Sequence, residues 1–280
     1  MEFGVDSILI RDYAQKAEAL GYNHISAYDH ILGANPNRPG WKGLFGNEAS
    51  FLEPFTLFSY MSSLTSKINF NTRILILPQR QTALVAKQAA TLDVLCQGRF
   101  RLGVGLGWNE VEYIAQNENF NTRGRRLEEQ IEVLREFWTQ PLLEYKGSWH
   151  NIPDAGLNPL PIQRPIPVWL GGHAQTTLKR VARLGDGWMP NDLNFDETMI
   201  LINKLADYAH KVGRPFSSIG IDPRQPYIKS PELLLRAIED WRRSGVTHLT
   251  LDTMGCGFET PDAHLTALSK AAEVIGLPSK

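Results

Sequence analysis

Apolar positions along the chain fall into two alternating rhythms. Leu127, Ile131, Leu134 and Trp138 are spaced at helical intervals, with Glu128, Glu129, Glu132, Arg135 and Glu136 on the remaining faces, which predicts an amphipathic helix with one buried stripe. Met199, Ile202, Leu205 and Ala209 repeat the pattern, as do Leu234, Ile238 and Trp241. Ser230-Pro231-Glu232 and Thr260-Pro261-Asp262 each read as an N-cap followed by a proline at the first helical position. Short apolar runs near residues 2–5, 24–29, 68–77, 99–105, 167–170, 187–190, 218–222 and 247–252 predict eight strands between the helices. Gly21, Gly98, Gly185 and Gly245 stand where a helical pattern gives way to such a run, the place for a left-handed residue turning the chain from helix to strand.

Eight β/α units in 280 residues predict an α/β fold of the (β/α)8 TIM barrel type, although an open doubly wound sheet fits the same alternation. Two gaps between strands are overlong. Residues 30–53 are rich in Gly, Pro and Asn, and residues 141–166 carry prolines at 141, 153, 159, 161 and 165. Both are expected to be rim excursions, insertions after strands 2 and 4, within a single domain spanning 1–280.

Composition narrows the partners. Twenty-nine Lys and Arg against thirty Asp and Glu leave a net charge of -1, so there is no electrostatic footprint for nucleic acid or an anionic membrane. No apolar run approaches the roughly 20 residues needed to cross a bilayer. An acid at position 2 does not suit a signal peptide. Cys96 and Cys256 are the two cysteines, too few for a disulfide framework, and a cytoplasmic location is expected. The histidines show no H-x-H or H-E-x-x-H spacing, so no metal site is expected.

In a barrel, the residues just past each strand's C-terminal end line the active site. Asp29-His30 is the first such pair: an imidazole exchanges a proton near neutral pH and a carboxylate orients it, while the bland alternative is a rim histidine beside a helix cap. Gly171-Gly172-His173-Ala174-Gln175-Thr176 joins an apolar strand to a helix, so it reads either as a phosphate-binding turn or as a plain βα connection. Gly103-x-Gly105-x-Gly107-Trp108-Asn109 departs from the G-x-G-x-x-G dinucleotide pattern. Its glycines either leave room for a planar ring flanked by Trp108 and Asn109 or simply permit close packing. Arg125 with Glu129 reads as an exposed helical ion pair. Asn191, Asp192, Asp222, Arg224 and Asp252 complete the expected rim.

The whole chain resembles the bacterial luciferase-like superfamily of flavin-dependent oxidoreductases, most closely its deazaflavin-dependent branch. The likeness rests on Ser26-Ala-Tyr-Asp-His30, Glu53-Pro54, Thr72-Arg-Ile-Leu75, Pro78-Gln-Arg-Gln81, Leu102-Gly-Val-Gly-Leu-Gly-Trp-Asn-Glu110, Arg123-Gly-Arg-Arg126, Pro167-Val-Trp-Leu-Gly-Gly172 and Leu184-Gly-Asp-Gly-Trp188, in the family's order. What the resemblance implies is a barrel holding coenzyme F420, a deazaflavin, or FMN, with His30 as the catalytic histidine beside Asp29. It further implies cofactor contacts from Thr72, Arg73, Ile74, Gly105, Gly107, Trp108, Asn109, Gly171, Gly172, His173 and Thr176, and a non-proline cis peptide near Arg73-Ile74. The implied reaction is hydride transfer to or from a small organic substrate. FMN-dependent monooxygenation and noncatalytic flavin binding are the alternatives. Relatives pair through helices matching residues 54–66 and 80–96, so a homodimer is expected. The irregular 31–52 stretch, with Trp41, Phe45 and Phe51, either shapes the substrate or is plain rim packing.

Overall fold

The computed structural model describes residues 4–41 and 43–278. In chain order its elements are α1 (Ser7–Ala19), β1 (His24–Ala27), α2 (Pro54–Ser62), β2 (Asn69–Thr72), β3 (Leu75–Ile76), α3 (Thr82–Leu95), β4 (Phe100–Gly105), α4 (Glu110–Ala115), α5 (Arg123–Thr139), β5 (Leu143–Lys146), β6 (Asn151–Ala155), β7 (Val168–Gly171), α6 (Gln175–Leu184), β8 (Gly187–Met189), α7 (Phe195–Lys211), β9 (Gly220–Ile221), β10 (Arg224–Pro226), α8 (Pro231–Arg243), β11 (Thr250–Asp252) and α9 (Pro261–Ile275). The chain is therefore α/β, and its contacts divide it into two units, residues 27–63 with 70–168 and residues 4–26 with 64–69 and 169–278.

In the unit containing residues 70–168, β4 is the organising strand. Phe70 of β2 pairs with Phe100 and Leu75 of β3 with Val104, both in parallel register. Five of the six β4 residues are buried, as expected of a parallel strand covered on both faces. Helix α5 buries Leu127, Ile131, Leu134 and Trp138, the stripe read from the sequence, and Trp138 Nε1 donates to Ala86 O on α3 at 3.1 Å. Gln130 on the same helix donates to Leu77 O, Arg80 O and Thr82 Oγ1 at 3.2, 3.1 and 3.0 Å. It thereby fixes the turn that follows β3. The strand expected over 68–77 is broken in two at the cis Arg73-Ile74 peptide.

The excursion at 141–166 contains an antiparallel hairpin of β5 and β6 that the hydrophobic pattern did not predict. Its anchor is Glu129. The carboxylate accepts from the Ser148, Trp149 and His150 backbone N–H groups at 2.8, 2.8 and 3.0 Å and lies 2.8 Å from His150 Nδ1. Burial pushes this carboxyl up, but these hydrogen bonds outweigh it and hold it below the usual glutamate range. The expected exposed pair with Arg125 is thus replaced by a hairpin clamp.

In the other unit, β7, β8 and β9 form a parallel ladder, Trp169 facing Gly187 and Gly187 facing Gly220. A Cβ on Gly187 or Gly220 would overlap the Trp169 indole, so that large ring dictates both glycines. Strands β10 and β11 pair separately in parallel. Ser230 and Thr260 cap α8 and α9 ahead of their prolines as read from the sequence. Gly21 and Gly245 take the expected left-handed backbone, but Gly185 has φ -87°. What requires glycine at 185 is packing, since a Cβ there would lie 2.7 Å from Leu170 Cδ1. Of the strand expected at 2–5, residues 2 and 3 lie outside the described residues, and Gly4 and Val5 are not in a strand.

Candidate active site

Strand β1 ends at Ala27, and the two titratable residues read from the sequence follow at once, facing different surroundings. Asp29 is 3% exposed. Its Oδ1 accepts from Arg80 Nη2 at 2.7 Å and its Oδ2 from the Ile76 backbone N–H at 2.9 Å. Arg80 also reaches Glu53 Oε1 at 3.2 Å. Burial raises the Asp29 carboxyl above the usual aspartate range; Arg80 and the Ile76 hydrogen bond oppose the shift, and the Glu53 charge adds to it. This aspartate joins β1 to β3 and the turn after it.

The carboxylate that meets the imidazole is Glu112 of α4. His30 Nδ1 lies 2.9 Å from Glu112 Oε1, and Gln79 Nε2 donates to Glu112 Oε2 at 2.9 Å. Glu112 is 1% and Gln79 3% exposed, so these two ends of the contact are buried, and Gln79 Oε1 has no hydrogen-bond partner. A carboxylate only accepts, so this contact favours the tautomer with the proton on Nδ1 and the Nε2 lone pair open. Neither Glu112 nor Gln79 was singled out from the sequence. Glu112 carries no periodic signal, because α4 is six residues long, and Gln79 sits in a 3-10 turn.

Aromatic rings surround the imidazole. Phe51, Phe45 and Trp108 lie 4.7, 5.6 and 5.7 Å from the His30 ring, centroid to centroid. A cavity of about 540 Å³ adjoins it, lined among others by Asp29, His30, Gln79, Arg80, Gln116 and Glu118.

Of the remaining expected cofactor residues of this unit, Thr72, Ile74, Gly105, Gly107 and Asn109 have structural duties. Thr72 Oγ1 donates to Gly103 O at 2.6 Å and is fully buried. Arg73 is 5% exposed. Ile74, on the far side of the cis peptide, fills the space a Cβ on Gly105 would need, and a Cβ on Gly107 would lie 2.8 Å from Ile76 Cγ2. These glycines therefore answer to the two isoleucines. Asn109 caps α4 by accepting from Val111 N at 3.2 Å and donates to Leu32 O at 3.3 Å. Trp108 is 40% exposed.

The diglycine turn lies in the other unit. Gly172 has φ +110°, its N–H donates to Met189 O at 3.4 Å, and its carbonyl accepts from Trp188 Nε1 at 2.7 Å. Gly171 ends β7, and His173 and Thr176 are exposed. Helix α6 begins after Ala174 with no side-chain cap, so its first amides are open to an anion. Of the expected rim residues, Asp222 is buried and accepts from Thr250 Oγ1 at 2.9 Å, while Arg224 bridges Asp192 and Asp252 at 2.9 and 3.2 Å.

Parallel strands with polar side chains gathered just past their ends define an α/β enzyme of the kind that works at the strand termini. The luciferase-like monooxygenase family model matches residues 9–245, and the chain belongs to that family of oxidoreductases. An uncharacterised Mycobacterium tuberculosis protein is 36% identical over 208 residues, 72% of this chain and 71% of the relative. The F420-dependent glucose-6-phosphate dehydrogenase of Amycolatopsis mediterranei is 28% identical over 211 residues, 71% of this chain and 60% of the relative. Among solved structures, the coenzyme F420-dependent tetrahydromethanopterin reductase of Methanopyrus kandleri superposes with a TM-score of 0.76 at 16% identity, covering 99% of this chain and 96% of that one. The fold is accordingly that of a luciferase-like enzyme.

Proposed function

We propose that this protein, a (β/α)8 barrel with excursions at 30–53 and 141–166, is an F420-dependent oxidoreductase that oxidises a small alcohol or reduces the matching carbonyl. FMN-dependent monooxygenation is the alternative within the family. The observation that carries the reading is the His30–Glu112 contact of 2.9 Å: it leaves one imidazole nitrogen free to exchange a proton beside an aromatic surface. When bound, the cofactor supplies a two-electron acceptor or donor for the hydride. His30 Nε2 takes the hydroxyl proton as the carbinol C–H bond breaks, or returns it to the carbonyl oxygen in the reverse direction. Glu112 and Gln79 hold the ring, and Asp29 acts through Arg80 and Ile76 to position the strand end.

Each unit by itself offers donors of a kind such a cofactor uses. The uncapped start of α6, with Gly171, Gly172, His173 and Thr176, offers backbone amides and a hydroxyl to a phosphate. Arg73, Ile74, Thr72 and the Gly105–Asn109 turn with its half-exposed Trp108 would hold the ring system. The same reading includes a cytoplasmic homodimer through α2 and α3, which expose Tyr60, Leu84 and Leu95 at 39, 54 and 57%; light scattering of the purified protein checks the dimer.

The test is to titrate the protein with F420 and FMN, each oxidised and reduced, then assay secondary alcohols and ketones with and without oxygen. F420 binding with oxygen-independent turnover is the expected result. Oxygen-consuming turnover with FMN selects the alternative, and binding without turnover of any substrate makes this a cofactor-binding protein.

A further inference from the structure

Within the segment between His30 and Glu53, residues 34 and 46 come together. Ala34 and Gly46 form a bridge, Asn47 N donates to Ala34 O at 3.0 Å, and a Cβ on Gly33 would overlap the Gly46 carbonyl. Asn109 Nδ2, donating to Leu32 O at 3.3 Å, ties the loop to the start of α4. A loop whose ends meet in this way presents its side chains in a fixed arrangement.

What it presents is aromatic. Trp41 lies 5.5 Å from Trp108 and Phe45 lies 5.1 Å from Phe51, ring centroid to centroid, and three of the four rings contact His30. Gly43 lets the two indoles come together, since a Cβ there would overlap both. These rings are not core residues: Trp41, Phe45 and Phe51 are half-buried and Trp108 is 40% exposed. Apolar surface left wet beside a proton-exchanging imidazole gains from being covered by an apolar ligand. A sugar would instead lose water from each hydroxyl against rings that return few hydrogen bonds.

From this wall we infer that Trp41, Phe45, Phe51 and Trp108 form the substrate subsite, and that it takes an alcohol or carbonyl compound with a hydrocarbon body in preference to a sugar phosphate. The inference rests on the reading of His30 as the proton-exchanging residue. Because the wall is hydrocarbon and aromatic, its selectivity follows the length of the hydrocarbon it covers.

The experiment uses the full chain, with and without F420, titrated with 2-butanol, 2-hexanol, 2-octanol and glucose 6-phosphate and followed by tryptophan fluorescence. Affinity should rise about fourfold for each methylene added, and glucose 6-phosphate should bind more weakly than 2-octanol. Phe45→Ala and Gly43→Ala should each lower 2-octanol affinity at least about tenfold, while Phe45→Leu retains most of it. Circular dichroism confirms that each variant folds. Affinity independent of chain length, or tighter binding of glucose 6-phosphate, overturns the subsite. Length-dependent binding without turnover by F420 or FMN supports the subsite and overturns the proposed function. Turnover of the phosphorylated sugar alone overturns the subsite and leaves the function standing.

Discussion

Replacing Glu112 by glutamine tests the local chemistry with little change of shape. Glu112 offers two oxygens to two donors, His30 Nδ1 at 2.9 Å and Gln79 Nε2 at 2.9 Å. Glutamine offers one oxygen and one NH2, so both contacts survive only if the Gln79 amide turns its unpartnered Oε1 toward the new NH2; without that turn one contact becomes donor against donor where Glu112 is 1% exposed. Leaving a buried donor unpaired costs roughly 1–3 kcal/mol. At about 2–4 °C per kcal/mol for chains approaching this size, Tm should fall by roughly 2–12 °C. Turnover should suffer separately, because without a carboxylate on Nδ1 the imidazole no longer favours the tautomer with Nε2 open. By analogy with the partners that orient metal-bound imidazoles, loss of such a support costs about 10–100-fold, here expected in kcat with KM nearly unchanged. The assay is steady-state turnover across pH beside thermal unfolding, with ¹⁵N spectra of the histidine ring reporting the tautomer directly. A Glu112→Gln protein with wild-type kcat, pH profile and His30 tautomer would refute the reasoning.

Other parts of the structure make further predictions. Gly105→Ala drives a methyl into Ile74 Cδ1; overpacking of this kind costs about 1–3 kcal/mol, and adding Ile74→Ala should recover part of the lost Tm. Glu129 is held below its ordinary range in the folded chain, so its contribution to stability is present above the unfolded glutamate value and is lost as pH falls through the lower folded value. Hydrogen exchange in β5 and β6 should therefore accelerate on acidification in the wild type, and Glu129→Gln should abolish that acid dependence. Cys96 is fully buried and its thiol is pushed up to about 11, chiefly by burial. A thiol reagent at pH 7 should leave Cys96 unmodified until the protein is unfolded, which mass spectrometry of the labelled peptides checks.

The elements legible in the sequence were those whose signal is local. The α5 stripe, the Ser230 and Thr260 caps and the parallel strand β4 were all recoverable because a few adjacent residues determine them. The position of the cis Arg73-Ile74 peptide came from family resemblance, not from residue pattern. Features set by distant contacts were not legible. The β5–β6 hairpin is pinned by Glu129, a residue that looks like any exposed helix glutamate. Gly185 does end α6, but without the left-handed backbone expected of it, and Leu170 occupies the space its Cβ would need. In the candidate site, His30 was readable from its place after a strand, and Asp29 drew attention by adjacency. Adjacent residues commonly point apart on extended chain, and the imidazole's partner came from α4, far along the sequence.

The central claim is that His30 exchanges the proton while other residues bind the cofactor. The most direct measurement is an anaerobic single turnover of wild type and His30→Ala with F420 and a secondary alcohol, with cofactor affinity measured on the same samples. The account predicts near-normal cofactor binding and a hydride-transfer step slowed about 10²–10⁴-fold in His30→Ala. An unchanged rate in that variant would contradict it.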